Sequence, residues 1–125
     1  DPSSGTWYQV TDQGAREGNY LESSATALFI YTLAKAINKG YIGNEYIEPT
    51  QKAFDGMVKT FTRLEEDGSY TITNCCAVAG LGGDSKRYRD GSFEYYISEP
   101  IIENDPKSVG SFILAAIEYE KMTKK

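Results

Sequence analysis

The chain is 125 residues long, enough for one ordinary domain, and its 40% hydrophobic and 25% charged residues are a globular composition that argues against disorder. A net charge of −5 without any basic run argues against nucleic acid or an anionic membrane surface as partner, and no apolar run reaches the roughly 18 residues of a membrane span. The absence of histidine excludes Ser-His-Asp and Cys-His nucleophile systems and His-ligated zinc, which leaves Asp, Glu and Tyr for any acid–base chemistry.

Asp1-Pro2-Ser3-Ser4 is not a signal peptide, and the chain starts without methionine, as expected of a processed protein or a piece of a longer one. A soluble chain is expected, cytoplasmic or periplasmic. The first 25 residues are rich in Gly, Ser and Asp and read as loop, with Trp7-Tyr8-Gln9-Val10 as a short extended piece. An aromatic pair beside an amide is a common way to hold a sugar ring; the alternative for Trp7 is a cap on the core.

Glu22-Ser23-Ser24 opens a helix that runs to Asn38 or Lys39, where Gly40 supplies a left-handed stop. Its apolar residues surround the axis, from Ala27, Leu28 and Phe29 to Leu33, Ala34 and Ile37, so burial on most sides is expected. The N–H groups at its start, with the Ser23 and Ser24 hydroxyls, form a ready anion site unless one serine is only the N-cap. After a turn at Gly43-Asn44, a second helix is expected from Glu48-Pro49 to Glu66, with Ala53, Phe54, Met57, Val58, Phe61 and Leu64 in one stripe and a wet opposite face. Gly56 in its middle points to close packing.

Ser69 to Asn74 alternates weakly and predicts a short strand, with Ser92 to Ser98 as its hairpin partner. Between them, CCAVAGLGGDSKRYRDGS is broken by glycines and reads as a connector, because GLGG lacks the spacing of a phosphate or dinucleotide loop. Cys75-Cys76 lacks C-x-x-C spacing and reads as two thiols near a core, or else as a vicinal disulfide or functional thiol. An acidic and aromatic loop follows with Glu94, Tyr95, Tyr96, Glu99, Glu103 and Asp105, a surface suited to polar ligands. Asp105-Pro106 then starts a strongly apolar helix reaching about Met122, with Asp as N-cap and Pro in the first turn. Three helices can hardly surround two that are apolar almost all round, so covering surface must come from elsewhere.

The stretches GTWYQV, NYLESSATALFIYTLAKAINKGYI, CCAVAGLGG and RDGSFEYYISEPIIENDPKSVGSFILAAIE resemble the C-terminal portion of the unsaturated rhamnogalacturonyl hydrolases, glycoside hydrolase family 105, related to the family 88 unsaturated glucuronyl hydrolases. The resemblance implies an all-α fold, part of an (α/α)6 toroid of alternating inner and outer helices with a small β-hairpin insertion. Residues 1–125 would form a single C-terminal segment of it. The implied activity is removal of 4,5-unsaturated uronic acid from pectin-derived rhamnogalacturonan oligosaccharides. Water is added across the C4=C5 enol ether with an Asp as general acid and base, without the two-carboxylate displacement of most glycosidases and without metal or cofactor.

That Asp and most of the sugar-gripping residues lie in the N-terminal half of such a toroid, and nothing here matches their motifs. The chain itself would supply pocket wall: Trp7, Tyr8, Gln9, Glu22, Ser23, Ser24, Tyr95, Tyr96 and Asp105 as substrate-binding residues, and no catalytic or metal-binding residue. The partners expected are an unsaturated uronate oligosaccharide and the missing N-terminal half of the toroid. Alternatively, a non-catalytic sugar-binding or assembly module would self-associate through its apolar helices. A third reading, an independent acid–base enzyme using Glu22, Glu94, Glu99 or Asp105, has no support in the spacing.

Overall fold

A computed structural model describes residues 1–84 and 88–124. Three long helices carry the fold: α1 (Ser23–Lys39), α2 (Ile47–Phe61) and α4 (Pro106–Thr123), with a short α3 (Phe93–Ser98). Two small antiparallel pairs complete it, β1 (Thr62–Leu64) with β2 (Tyr70–Ile72), and β3 (Cys75–Cys76) with β4 (Ile101–Ile102). The bounds of α1 and α4 match the expectation: Gly40 adopts φ 70° and closes α1, while Asp105 caps α4 with Pro106 in its first turn.

Two expectations are corrected. The second helix stops at Phe61 instead of Glu66, because Thr62, Arg63 and Leu64 leave the helix and pair with Ile72, Thr71 and Tyr70. Ser92 to Ser98 is therefore not the partner strand. It forms α3, capped by the Ser92 hydroxyl, which accepts from the Tyr95 N–H at 3.1 Å. β-branched Thr62 beside the charged Arg63-Leu64-Glu65 run suits an edge hairpin closed at Asp67-Gly68 better than a further helical turn. The glycine-rich connector is drawn together by a bridge between Gly82 and Arg89, and residues 85–87 of that connector lie outside the described residues.

α1 and α4 run parallel. Their N-terminal ends both sit by the β3–β4 pair, and near their C-terminal ends Asn38 Nδ2 donates to the Glu118 carbonyl at 2.9 Å. Small buried residues line these two helices, Ala27 and Ala34 on one and Ser108, Ser111 and Ala115 on the other, which lets their backbones approach closely. α2 returns in the opposite sense and seals the outer side with Ala53, Met57 and Phe61 against Ala27, Ile30 and Ala115. Phe54 of α2 stacks on Tyr119 of α4 at 3.8 Å, and a second cluster of Ala34, Ile37 and Met122 closes the far end.

Burial of α1 and α4 on most sides does not hold within this chain. Leu28 and Phe29 of α1 and Ile113, Leu114 and Ile117 of α4 are exposed, because the single helix α2 and the loops cover only the opposite sides. The wet face expected for α2 is present, with Lys52, Asp55 and Lys59 exposed.

The close packing expected at Gly56 is with the chain's own N-terminal segment. A Cβ at Gly56 would stand 1.8 Å from the Ser4 carbonyl oxygen, and the segment is held by the Asp1 carboxylate, which accepts from the Ser4 N–H at 2.9 Å, and by Lys52 on the Pro2 carbonyl. Gly56→Ala is therefore expected to lower stability by about 1–3 kcal/mol in urea unfolding, the cost of overpacking. A gain of about 1 kcal/mol, as helix propensity alone would give, would contradict this packing.

Candidate functional site

The candidate residues gather at the end of the molecule where α1 and α4 begin. Trp7-Tyr8-Gln9 runs antiparallel to Tyr20-Leu21-Glu22: the Glu22 N–H donates to the Trp7 carbonyl at 2.9 Å and the Gln9 N–H to the Tyr20 carbonyl at 2.8 Å, with Tyr8 bridged to Leu21. Trp7 is half-buried. Its backbone N–H donates to Thr26 Oγ1, and its indole packs on the core cluster and tilts against Phe29 at 5.1 Å. The Tyr8 ring packs against Gly14, 2.7 Å from where a Cβ would stand, and Gln9 Nε2 reaches the Cys76 thiol at 3.2 Å.

Glu22 is the N-cap of α1, a position that neither Ser23 nor Ser24 takes. Its carboxylate is almost fully buried. One oxygen accepts from the Ala25 N–H at 2.7 Å, the other from the Cys76 N–H at 3.0 Å, and the Ser24 hydroxyl bridges both. Glu is not among the favoured cap residues, but its extra methylene lets one carboxylate serve the helix terminus and a strand 54 residues later. The positive end of α1 is thus already met by an internal anion. Ser23 is fully buried beside it, with its N–H on the Asn74 carbonyl and no hydrogen-bond partner for Oγ among the described residues.

Tyr95 and Tyr96 lie on α3, their rings 5.0 Å apart. The Tyr95 hydroxyl accepts from the Gly80 N–H at 3.1 Å; burial, then the neighbouring Glu99, raises its pKa above the ordinary phenol value. Arg16 joins this helix to the first loop by pairing with Glu94 and lying 3.9 Å over the Phe93 ring. Asp105 caps α4, accepting from the Lys107 N–H at 2.8 Å and its ammonium at 2.6 Å, which hold its carboxyl below the ordinary range. That ammonium also donates to the Ala77 carbonyl at 3.0 Å. The two halves of the candidate site therefore meet through Cys76 to Gly80 and the loop around Arg16.

The carboxylates at this end are engaged in structure: Glu22 as above, Asp105 with Lys107, Glu94 with Arg16, Glu103 with both terminal nitrogens of Arg63 at 2.8 and 2.9 Å, and buried Glu99 beside Arg89 at 3.7 Å. Burial and the adjacent Cys76 push the Tyr20 phenol far above its ordinary value, and burial pushes the Cys75 thiol up. Both groups stay neutral at neutral pH, which leaves Cys75 a poor nucleophile, and both cysteines are free and buried.

Residue-type reasoning missed Asn74 and Cys76. Asn74 adopts φ 58°, a left-handed conformation that asparagine tolerates, and ties β3 to α1 by donating from its side chain to the Leu21 carbonyl while its own carbonyl takes the Ser23 N–H. Cys76 contributes through its backbone N–H, which no sequence signal reveals.

Two parallel helices open on a loop-built, polar-rimmed end, and comparison with known proteins says which proteins share this arrangement. The model of the Glycosyl Hydrolase Family 88 matches residues 1–123, and the chain belongs to that family. The protein Atu3128 of Agrobacterium fabrum and a 24.9 kDa protein in the picA locus of Rhizobium radiobacter are each 37% identical over 118 residues, covering 91% of this chain and 51% of their own length. The chain thus spans about half of those relatives. Among solved structures, a family 105 glycoside hydrolase from Clostridium acetobutylicum superposes with a TM-score of 0.92 at 46% identity, over 96% of this chain and 33% of that one. A possible family 105 member from Klebsiella pneumoniae gives 0.71 at 28% identity, covering 98% of this chain and 27% of its own. The fold is therefore a partial region of an α/α toroid, mostly helical with small hairpins.

If Glu22 holds α1 to β3, Glu22→Ala should cost about 3 kcal/mol in chemical denaturation, combining a lost cap with an orphaned buried N–H, while Glu22→Gln should cost markedly less. Equal, small losses for both variants would show that the carboxylate is dispensable.

Proposed function

We propose that this chain is the C-terminal segment of an enzyme that removes 4,5-unsaturated uronic acid from rhamnogalacturonan oligosaccharides, and that it furnishes pocket wall without the catalytic acid. In that reaction a carboxylic acid outside this chain protonates the C4=C5 enol ether. Its conjugate base then takes a proton from the water that adds at C5, and the hemiketal so formed opens to release the rest of the sugar. The observation that carries the division of labour is the engagement of the candidate-site carboxylates: Glu22, Glu94, Glu99, Glu103 and Asp105 each meet N–H groups or cations of the fold.

Within this reading the half-buried Trp7 offers its exposed face to a sugar ring, supported from behind by Phe29. Tyr8, Gln9, Tyr95 and Tyr96 supply polar contacts from the two sides of the wall. The full burial of Ser23 and the hydrogen bonds of Glu22, Ser24 and Asp105 favour a role for all four in shaping the wall. Family 88 membership and the family 105 likeness support a carbohydrate substrate.

The test is direct. The purified chain, mixed with an unsaturated rhamnogalacturonan disaccharide, is expected to leave the enol-ether ultraviolet absorbance unchanged. Steady loss of that band with this chain alone would mean that one of its own acids is catalytic, and Glu22→Gln, Glu99→Gln and Asp105→Asn variants would identify which.

A further inference from the structure

The cations at the loop-built end are not all held alike. Arg63 and Lys107 meet carboxylate oxygens at 2.8 and 2.6 Å, and Arg16 is closed by Glu94 and the Phe93 ring. Arg89 differs. Its Nε lies 3.7 Å from Glu99 Oε1, too far for a hydrogen bond, and has no hydrogen-bond partner among the described residues. The Glu99 carboxylate is fully buried, whereas the Arg89 side chain keeps 29% of its surface exposed. Because Nε itself is buried, that exposed share lies elsewhere on the side chain.

The surroundings fix this side chain in place. The Arg89 backbone exchanges two hydrogen bonds with Gly82, at 2.8 and 2.9 Å, and its Cδ lies against Gly80, 3.7 Å from where a Cβ would stand. The Gly80 N–H donates to the Tyr95 hydroxyl, and that phenol lies beside the same Glu99 carboxylate. A buried ion pair adds little stability over well-packed apolar residues, so folding energy alone gives no reason for this one. A guanidinium has five N–H donors in a rigid fork; with its charge balanced by a buried carboxylate and its backbone fixed, it is preorganised for a second carboxylate at its exposed edge.

We propose that Arg89 is a substrate-binding residue that takes a uronate carboxylate of the oligosaccharide, with Glu99 as the positioning residue behind it. The proposal rests on the acidic substrate named above and deepens it. Trp7, Tyr8, Gln9, Tyr95 and Tyr96 carry no positive charge, so the wall they form lacks a cation for an anionic sugar. Arg89, bordering Gly80 and Tyr95, supplies one, and its planar fork matches a carboxylate as an ammonium does not.

The test is a titration of the isotope-labelled 125-residue chain with galacturonosyl-rhamnose, with its 4,5-unsaturated counterpart and with the methyl esters of both, followed by amide NMR. The free acids should move the Gly80, Gly82 and Tyr95 signals, and esterification should weaken binding about tenfold or more, the effect of losing a charge-assisted hydrogen bond. Arg89→Lys should weaken it as well. Arg89→Gln alone strands a buried charge, so the double variant Arg89→Gln, Glu99→Gln is used instead; it should keep a cooperative melting transition and lose the shifts. If the double variant does not fold, Arg89→Lys decides, and binding equal to that of the parent chain sinks the proposal. Esters that bind as tightly as acids, shifts that survive in the folded double variant, or no shifts with either acid would also overturn it. A response to the unsaturated sugar alone would assign Arg89 to the residue that is hydrolysed, and a response to both sugars to any uronate. The absence of shifts would leave the hydrolysis reading standing, because that is judged from the enol-ether band.

Discussion

The Glu22 carboxylate is the point on which the rest of the structure depends. A helix start has N–H groups without partners, and burying such an end requires an acceptor. Here the acceptor also holds the N–H of Cys76, so the start of α1 and strand β3 are fixed by one side chain. β3 in turn pairs with β4, which leads directly into the Asp105 cap of α4. The parallel placement of α1 and α4, and with it the whole loop-built end, follows from this chain of contacts.

The same interaction changes how the acids are understood. Carboxylates beside phenols at a helix N-terminus invite an acid–base assignment when only the sequence is in view. In the folded chain these groups close caps and pair with Arg16, Arg63, Arg89 and Lys107, and the hydrogen bonds from Arg63 and Lys107 hold the Glu103 and Asp105 carboxyls below their ordinary range. The acids at this end build structure, and in the proposed function contacts with sugar are left to aromatic and amide groups.

Much of the fold was legible in the sequence because its signals are local. Gly40 as a left-handed stop, Asp105-Pro106 as a helix start and the unbroken apolar character of two helices each act within a few residues. What was not legible depends on distant partners. Thr62 to Leu64 continues the apolar period of α2, yet pairing with Tyr70 to Ile72 draws it into a strand. Ser92 to Ser98 alternates no more convincingly than it helicates, and the Ser92 cap decides it. Glu22 resembles an ordinary first-turn acid until Cys76 is seen to approach from 54 positions away. In the candidate site, Trp7, Gln9 and Glu22 were singled out by residue type, whereas the left-handed Asn74 and the Cys76 N–H are placed by partners distant in sequence and carry no signal of their own.

The most direct test is amide hydrogen exchange at Ala25 and Cys76, the two N–H groups that share the Glu22 carboxylate. The account predicts that both exchange slowly in the native chain and that Glu22→Ala, which removes both acceptor oxygens, accelerates the two together and by more than amides in the middle of α2. Rapid exchange at Cys76 in the native chain, or acceleration at Ala25 alone, would contradict a single carboxylate holding helix and strand.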